Sequence, residues 1–387
     1  MKKKIFYWSP CLNPVGTVKS TLNSAVTMSE YGKKEYQIEL INACGEWDEY
    51  IEYFEKKGVR VINLSYKFYK YLPKQGYLKS RLSYILIYIL CFIPLTKLLF
   101  ISKPDFLIAH LITSLPLTIM SFFKTKTKFI LRISGMPQMN FLRKNFWKFL
   151  SRKIYFVTCP TLELRKKLLD MKLFKDDSLY FLPDAIVDVK KFIEDSKKNC
   201  QELDPYKGKR LIFAAGRLTK QKNFSYLIDE FASFSKENDK FLLLILGKGE
   251  QRKIIEEKIK EKNIQNKVIL MGYVDNVYKY FKNGEIFVLS SLWEEVGFVI
   301  VEAALSNLFI ISSNCPNGPS EFLNSGKNGI LFENNKKGEL TKSLKKYCGL
   351  TDLKRHKFET KKNAMKYTKF RHFLKLENIL KNNFISN

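Results

Sequence analysis

The chain lacks the features of a secreted, disulfide-bonded or zinc-binding protein. Its seven cysteines, at positions 11, 44, 91, 159, 200, 315 and 348, are odd in number and include no Cys-x-x-Cys pair. This pattern favours free thiols in a reducing cytoplasm over a disulfide framework or a zinc site. The N-terminal MKKKIFYWSP has a basic head but no apolar stretch before Pro10. We therefore expect no signal peptide and a cytoplasmic protein.

Long apolar runs are also scarce. The most apolar stretch, YILIYILCFIPL at residues 84–95, is too short to span a bilayer, and we expect Pro94 to break it. Two interpretations stay open for it: a helix buried in a core, or a helix that lies against a membrane.

Acidic residues are nearly absent from one long region. Residues 56–162 contain one acid, Asp105, and nineteen lysines or arginines, within a chain of net charge +29. A strongly positive surface there suits nucleic acid, anionic lipid or phosphorylated substrates. The alternative is a lysine-rich composition with no specific partner.

Apolar strands alternate with amphipathic helices along the whole sequence. Thirteen segments have the composition of buried strands: KIFYW, YQIELINA, RVINL, DFLIAHL, KFILRIS, IYFVTC, LYFLP, RLIFAAG, FLLLILG, KVILMGY, EIFVLSS, LFIISSN and GILF. This alternation predicts parallel sheets covered by helices on both faces, in an α/β protein of two doubly wound, Rossmann-like domains.

A polar, charged stretch separates the two runs of strands. We expect an N-terminal domain over residues 1–186, a linker over 187–209 and a C-terminal domain over 210–355. The amphipathic segment within 356–387 has no strand after it, which predicts that it packs back on the N-terminal domain.

Candidate ligand-binding residues follow the ends of predicted strands, where such folds bind ligands. Gly16, in the loop after the first strand, would allow backbone to approach a phosphate. His110 ends the strand DFLIAHL. Arg217 and Lys222, five residues apart on the loop after RLIFAAG, form a candidate diphosphate clamp.

The segment SLWEEVGFVIVEAALSN suggests how a ligand would extend from that clamp. Backbone N–H groups of Val296, Gly297 and Phe298 would lie at a helix N-terminus and receive a phosphate. Glu294 and Glu302, eight residues apart, could each accept hydrogen bonds from sugar hydroxyls. A phosphate between two polyols is the shape of a nucleotide sugar.

The order and spacing of these motifs resemble those of family 4 glycosyltransferases. The residues that carry the resemblance are GRLTKQKN, GKGE, GYVDN, SSLWEEVGFVIVEAA and NCPNGPSEFLNSGKNGILF, with YFLPDAIVDVKKF and PDFLIAHL. The resemblance covers nearly the whole chain and implies a GT-B fold, in which two doubly wound domains face a cleft. It also implies an enzyme that retains the configuration of the transferred sugar.

Site roles follow from the same resemblance. It assigns Glu294 to the donor sugar, Glu302 to the ribose, and Arg217 with Lys222 to the diphosphate. His110 corresponds to the residue that contacts the donor hexose near the reacting carbon, and Gly16 to the loop over the phosphates.

The chain also departs from the family pattern. Glu295 and Val296 precede Gly297 where a glycine usually follows the first Glu, so either Glu294 or Glu295 contacts the donor sugar. Asp184 stands where Asn is usual, and Arg132 where His is often found.

The sequence has no Asp-x-Asp motif and no metal-ligand cluster, so we expect neither a metal nor another cofactor. The resemblance implies transfer of a hexose from a nucleotide-diphosphate sugar, UDP-linked in our interpretation, to a lipid-linked or glycan acceptor. The acid-poor N-terminal domain would hold that acceptor at the cytoplasmic face of an anionic membrane, in surface polysaccharide synthesis such as that of lipopolysaccharide.

Two other functions stay open. One is a related GT-B enzyme, a nucleotide-sugar epimerase or a phosphorylase. The other is a basic, non-catalytic module that binds membrane or nucleic acid, although no nucleic-acid motif is recognisable and we expect no nucleic-acid partner.

Overall fold

The structure is a computed structural model that describes residues 2–12, 16–64, 67–73, 77–136 and 141–385. The chain divides into two compact units. Unit 1 comprises Met1–Ala185 and Lys369–Asn387, and unit 2 comprises Ile186–Thr368.

The described residues of unit 1 form a seven-stranded parallel sheet. Its strands are β1 (Lys3–Trp8), β2 (Tyr36–Asn42), β3 (Arg60–Asn63), β4 (Phe106–Ala109), β5 (Lys128–Arg132), β6 (Ile154–Cys159) and β7 (Leu179–Phe181). Their spatial order is β3-β2-β1-β4-β5-β6-β7. The chain therefore winds in one direction from β1 and in the other from β4, and the reversal lies between these two neighbours.

Helices cover both faces of this sheet. They are α1 (Gly16–Tyr31), α2 (Ile51–Lys56), α3 (Tyr77–Ser102), α4 (Ser114–Phe122), α5 (Phe141–Leu150) and α6 (Leu162–Asp170). One core cluster contains Ile87 of α3, Leu117 of α4, Trp147 of α5 and Leu164 of α6, so these four helices share a face. The cluster on the other face includes residues of α1 and α2.

Unit 2 repeats the arrangement with a six-stranded parallel sheet among its described residues. Its strands are β8 (Arg210–Ala215), β9 (Phe241–Leu246), β10 (Val268–Gly272), β11 (Ile286–Leu289), β12 (Phe309–Ser313) and β13 (Ile330–Phe332). The order is β10-β9-β8-β11-β12-β13, which places the reversal between β8 and β11.

The helices of unit 2 are α7 (Val189–Lys197), α8 (Phe224–Ser235), α9 (Arg252–Glu261), α10 (Tyr278–Phe281), α11 (Phe298–Leu305), α12 (Gly318–Phe322), α13 (Glu339–Cys348) and α14 (Leu353–Ala364). Helices α8, α9 and α13 share one core cluster. Helices α10 and α11 contribute to the cluster on the opposite face. The predicted α/β class with two doubly wound sheets is confirmed, and each of the thirteen predicted strand segments overlaps one observed strand.

The polar stretch 187–209 lies within unit 2. It forms α7 and a 3-10 helix, Gln201–Tyr206, and both contact α10. The ring centroids of Phe192 and Tyr278 are 5.0 Å apart. Glu202 and Lys279 form an ion pair with an N–O distance of 2.6 Å.

The C-terminal segment is shared between the units. Helix α14 belongs to unit 2, where it packs on α11. The last helix, α15 (Lys369–Ile385), belongs to unit 1 and packs on α1.

Helix α3 corrects the expectation that Pro94 interrupts a short apolar segment. The helix runs for 26 residues and Pro94 lies inside it. Proline removes the hydrogen bond to the carbonyl of Leu90, yet the helix continues through this position to Ser102. By length and composition, the 24-residue window from Lys79 to Ser102 could cross a membrane.

Candidate active site

The carboxyl ends of β8 and β11 define the candidate site in unit 2. Ligands of doubly wound sheets bind where the strand order reverses, and β8 and β11 are the neighbours at that point. Gly216 follows β8, and the loop with Glu294 follows β11. The sheet topology thus places both predicted motifs at the same edge.

Two glycine turns bring the first loops close together. Gly216 N–H donates to the carbonyl of Leu246 at 2.9 Å, and Leu218 N–H donates to that of Lys248 at 3.0 Å. A Cβ on Gly247, whose φ is +151°, would lie 1.8 Å from the carbonyl oxygen of Gly216. Only glycine fits there, because backbone meets backbone.

Lys222 and Glu294 form an ion pair between the β8 and β11 loops. The two side chains are 14% and 8% exposed, respectively. The hydroxyl of Ser291 donates a second hydrogen bond, of 2.7 Å, to the same Oε1 of Glu294. The other oxygen, Oε2, has no hydrogen-bond partner among the described residues and lies near Gly297. Glu294 therefore has a free acceptor whose position Lys222 and Ser291 fix.

Backbone contacts hold the same two loops in register. Leu292 N–H donates to the carbonyl of Gln221 at 2.8 Å, and the Ser290 hydroxyl donates to that of Lys222 at 2.8 Å. The Gln221 amide donates to the carbonyl of Trp293, also at 2.8 Å. The ion pair is thus part of a rigid junction.

Arg217 differs from Lys222 in its surroundings. Its side chain is exposed, and among the described residues it has no hydrogen-bond or ion-pair partner. The guanidinium is available to a ligand at the surface of this loop. The two predicted clamp cations are therefore not equivalent.

Glu295 faces the next loop along the sheet. Its Oε1 accepts a 3.0 Å hydrogen bond from the Asn317 amide, and Glu294 and Asn317 form an isolated parallel bridge. A Cβ on Gly318 would lie 1.6 Å from the carbonyl oxygen of Glu295. The structure thus ties Glu295 to the loop after β12 and Glu294 to Lys222.

Helix α11 begins directly after Gly297, as the sequence predicts. Gly297 has a φ of +76°, a region that favours glycine, and its carbonyl accepts the first hydrogen bond of the turn from Ile300 N–H at 3.0 Å. Val296 is buried, and Phe298 is the first helical residue. The N–H groups of Phe298 and Val299 therefore lie in the first turn, where a helix N-terminus favours an anion.

Glu302 lies in the second turn of α11 and is half-buried. Burial raises the pKa of the Tyr278 hydroxyl, and the negative charge of Glu302 raises it further. Tyr278 therefore stays protonated at neutral pH, close enough to Glu302 to sense its charge.

His110 occupies the corresponding reversal point of unit 1, just after β4. Its backbone N–H donates to the carbonyl of Trp8, the last residue of β1, at 2.9 Å. The side chain is 7% exposed, and its Nδ1 has no hydrogen-bond partner among the described residues. Burial lowers its pKa well below 6.5, and the positive charge of Arg132 and the nearby His372 lower it further. The imidazole is therefore neutral at neutral pH.

Gly16 is the first residue of α1, and it is exposed. A Cβ there would meet nothing within 4 Å. Residues 13–15, which precede it in the predicted phosphate loop, lie outside the described residues.

Arg132 and Asp184, two separate departures from the family pattern, form one ion pair of 2.6 Å inside unit 1. Their side chains are 2% and 8% exposed. Arg132 also donates to the carbonyl of Leu182 at 2.7 Å, and Ser20 of α1 donates to Asp184. Arg132 ends β5 and Asp184 follows β7, two strands that β6 separates in the sheet, so the sequence does not indicate that these charges pair.

His372 of α15 is a second buried group that the sequence analysis missed. Its Nδ1 bonds to the carbonyl of Pro183 at 2.6 Å, so Nδ1 carries the proton and Nε2 accepts from the Ser24 hydroxyl at 2.9 Å. With His110 and Arg132 it lines a small cavity. Burial lowers the pKa of His372 from 6.5 to about 4.

Among the described residues, no group of three or more His, Cys, Asp or Glu side chains is placed to hold a metal ion.

The fold defines the class of the protein. It matches crystal structures of GT-B proteins, among them Anabaena HepE in complex with UDP. The TM-score is 0.73 at 13% identity, over 98% of this chain and 100% of that one. The chain has the GT-B fold.

Residues 195–365 match the family model "Glycosyl transferases group 1". The matched residues lie within unit 2 and include the Lys222–Glu294 junction.

Two curated relatives share parts of the chain. An uncharacterized glycosyltransferase of Methanocaldococcus jannaschii is 41% identical over 108 residues, 28% of this chain and 27% of that protein. The N-acetylgalactosamine-N,N'-diacetylbacillosaminyl-diphospho-undecaprenol 4-alpha-N-acetylgalactosaminyltransferase of Campylobacter jejuni is 22% identical over 270 residues, 65% of this chain and 66% of that one. The matches thus span about a quarter to two thirds of these relatives.

Proposed function

We propose that the chain is a retaining glycosyltransferase of family 4 that transfers a hexose from a UDP-linked sugar. The observation that carries this proposal is the Lys222–Glu294 junction beside the N-terminus of α11, at the strand reversal of a glycosyl transferases group 1 domain. The UDP in the structural neighbour HepE supports the choice of nucleotide.

The donor lies along the β8–β11 edge in this proposal. The first-turn N–H groups of α11, exposed Arg217 and the remaining N–H groups of Lys222 bind the diphosphate. Glu302 accepts from the ribose hydroxyls. The free Oε2 of Glu294 accepts from a hydroxyl of the hexose, and the family resemblance assigns a contact with that sugar to His110, whose imidazole is neutral.

Transfer breaks the bond between the anomeric carbon and the phosphate oxygen. A hydroxyl of the acceptor forms the new bond on the same face of the sugar, and its proton passes to the departing phosphate. Arg217, Lys222 and the α11 N-terminus stabilise the negative charge that develops on that phosphate, without a metal. The other groups hold the reactants in position.

The acceptor is lipid-linked or a glycan, at the cytoplasmic face of a membrane during surface polysaccharide synthesis. The undecaprenol-linked acceptor in the name of the Campylobacter jejuni relative supports this choice. Residues 56–162 contain nineteen lysines or arginines and one acid, and this excess of positive charge supports an anionic membrane surface as a partner.

The test is incubation with a panel of nucleotide hexoses and an undecaprenyl-diphosphate sugar acceptor. We expect one UDP-sugar to raise the melting temperature and to yield a product whose new linkage keeps the donor's anomeric configuration by NMR. An inverted linkage would overturn the retaining mechanism. Free sugar, sugar phosphate or an epimerised donor as the sole product would instead identify a phosphorylase or an epimerase.

A further inference from the structure

Helix α3 has two opposite rows of side chains with different surroundings. The row toward the core consists of Ser83, Ile87, Cys91, Leu95 and Leu99, each at most 1% exposed. Only 22% of the most apolar window of the helix is buried, whereas the core helix of a soluble protein is mostly buried. Most of the apolar surface of α3 therefore faces outward.

The outward row repeats every four residues along the helix. Ile85, Ile89 and Ile93 are 55%, 62% and 64% exposed. Arg81 precedes them and Lys97 follows them at the same spacing, and both are exposed. At about 1.5 Å of rise per residue, these two positions lie roughly 24 Å apart along the helix axis. The row is thus apolar in the middle and cationic at both ends.

Helix α4 extends this surface on the same face of the sheet. Phe122, its last residue, is 79% exposed, and Phe123 is 38% exposed. The ring of Phe123 packs edge-on against that of Phe100 of α3, with centroids 5.9 Å apart. Ile101, beside Phe100, is 80% exposed. Monomeric soluble proteins rarely expose apolar patches of this extent without a partner.

Charge decides between the possible partners. Exposed Lys103, Lys124 and Lys126 border the α3–α4 patch, and Asp105 is the only acid in residues 56–162. Two copies meeting through this face would oppose their positive charges, whereas anionic lipid would neutralise them. The buried row excludes a spanning arrangement, because it holds α3 in the core of unit 1.

We propose that α3 lies in the plane of an anionic bilayer, with Ile85, Ile89 and Ile93 inserted among the acyl chains. Arg81 and Lys97 extend to the headgroups at the two ends of the row, as long cationic side chains do at interfaces. This inference deepens the membrane-linked acceptor of the proposed function by naming the inserting surface. Vesicle binding tests it without any use of activity.

The experiment is co-sedimentation of the full chain with vesicles of phosphatidylcholine and phosphatidylglycerol at 0.1 M and 1 M NaCl. We expect binding that 1 M NaCl reduces only in part, because apolar insertion is not screened. The triple variant Ile85→Ser, Ile89→Ser, Ile93→Ser should lower the partition coefficient at least tenfold at both salt concentrations. The matched control is Ile254→Ser, which changes an isoleucine of unit 2 that is 51% exposed, and it should bind as the unaltered chain does.

A second variant reports insertion directly. Ile89→Trp should show a blue-shifted emission with vesicles, relative to the unaltered chain, and Ile254→Trp should not. Unchanged partition of the triple variant, or no shift for Ile89→Trp, would overturn the proposal. A dimer that the triple variant dissociates would identify a second copy as the partner instead. The triple variant should still transfer sugar to a soluble acceptor. If the unaltered chain transfers no sugar, that result would count against the proposed function and not against membrane insertion.

Discussion

Replacing Lys222 by alanine should destabilise unit 2, whereas replacing Arg217 should not. From the sequence, the two cations are equivalent members of one clamp on a loop. In the structure, Lys222 is the ion-pair partner of Glu294, which is 8% exposed, and Arg217 is exposed. Lys222→Ala therefore leaves a nearly buried carboxylate with the Ser291 hydroxyl as its remaining partner.

The magnitude follows from this burial. Removal of one partner from a buried ion pair costs about 3–5 kcal/mol. We expect about 3 kcal/mol here, because Glu294 keeps one hydrogen bond and Lys222 is 14% exposed. A domain of this size loses about 2–4 °C in melting temperature per kcal/mol, which corresponds to roughly 6–12 °C. Arg217→Ala should change stability by less than about 0.5 kcal/mol.

Scanning calorimetry without ligand measures the difference in stability between the two variants. Titration with UDP measures the contribution of both cations to diphosphate binding. Both variants should weaken UDP binding by about 1.5–3 kcal/mol, since each removes a charge-assisted hydrogen bond. The double variant Lys222→Met, Glu294→Gln, which removes both charges, should recover much of the lost stability. Equal melting temperatures for Lys222→Ala and Arg217→Ala would refute the structural reasoning. Unchanged UDP affinity in both would refute the diphosphate assignment.

Three further predictions concern the acids and the buried histidine. Glu302→Ala should weaken binding of free UDP in calorimetric titration, because its proposed partner is the ribose. Glu294→Ala should mainly lower turnover in a transfer assay, and equal loss of UDP binding in both variants would contradict this division. Asp184→Asn leaves the Arg132 guanidinium buried without its carboxylate and should cost about 3–5 kcal/mol in urea unfolding; a loss below 1 kcal/mol would contradict the pairing. The unfolded chain protonates His372 near pH 6.5, but the folded chain does so only near pH 4. Stability should therefore fall by roughly 3 kcal/mol as the pH drops through that window, and His372→Gln should flatten the dependence.

Local sequence was sufficient to predict the strands and the edges at which the candidate site residues lie. Each strand is a short apolar run followed by a polar or glycine-containing loop. Nearby residues alone are therefore enough to predict it. The start of α11 was also predictable, because Gly297 separates the acidic loop from an apolar helix. The winding of the two sheets follows from the alternation of strands with helices.

Contacts between residues that are distant in sequence were harder to predict. Lys222 and Glu294 are 72 positions apart, and their pairing depends on the adjacency of β8 and β11. The sequence shows that both follow strands, but not that these strands are neighbours. Both side chains therefore pointed to a ligand, and nothing in their spacing indicated that they would bind each other. Helix α3 shows the same limit, since the residues around Pro94 do not reveal that the helix continues through it.

The buried polar groups of unit 1 show why a departure from a family pattern is better understood in pairs. Arg132 alone suggests a changed acceptor contact, and Asp184 alone suggests a changed interdomain stretch. Together they neutralise each other beneath His110, 52 positions apart in sequence and 2.6 Å apart in space. Because neither charge could be buried without the other, the two departures are a single change in the packing of unit 1. His110 ends the neighbouring strand β4, and burial, followed by the positive charge of Arg132, lowers its pKa and keeps its ring neutral.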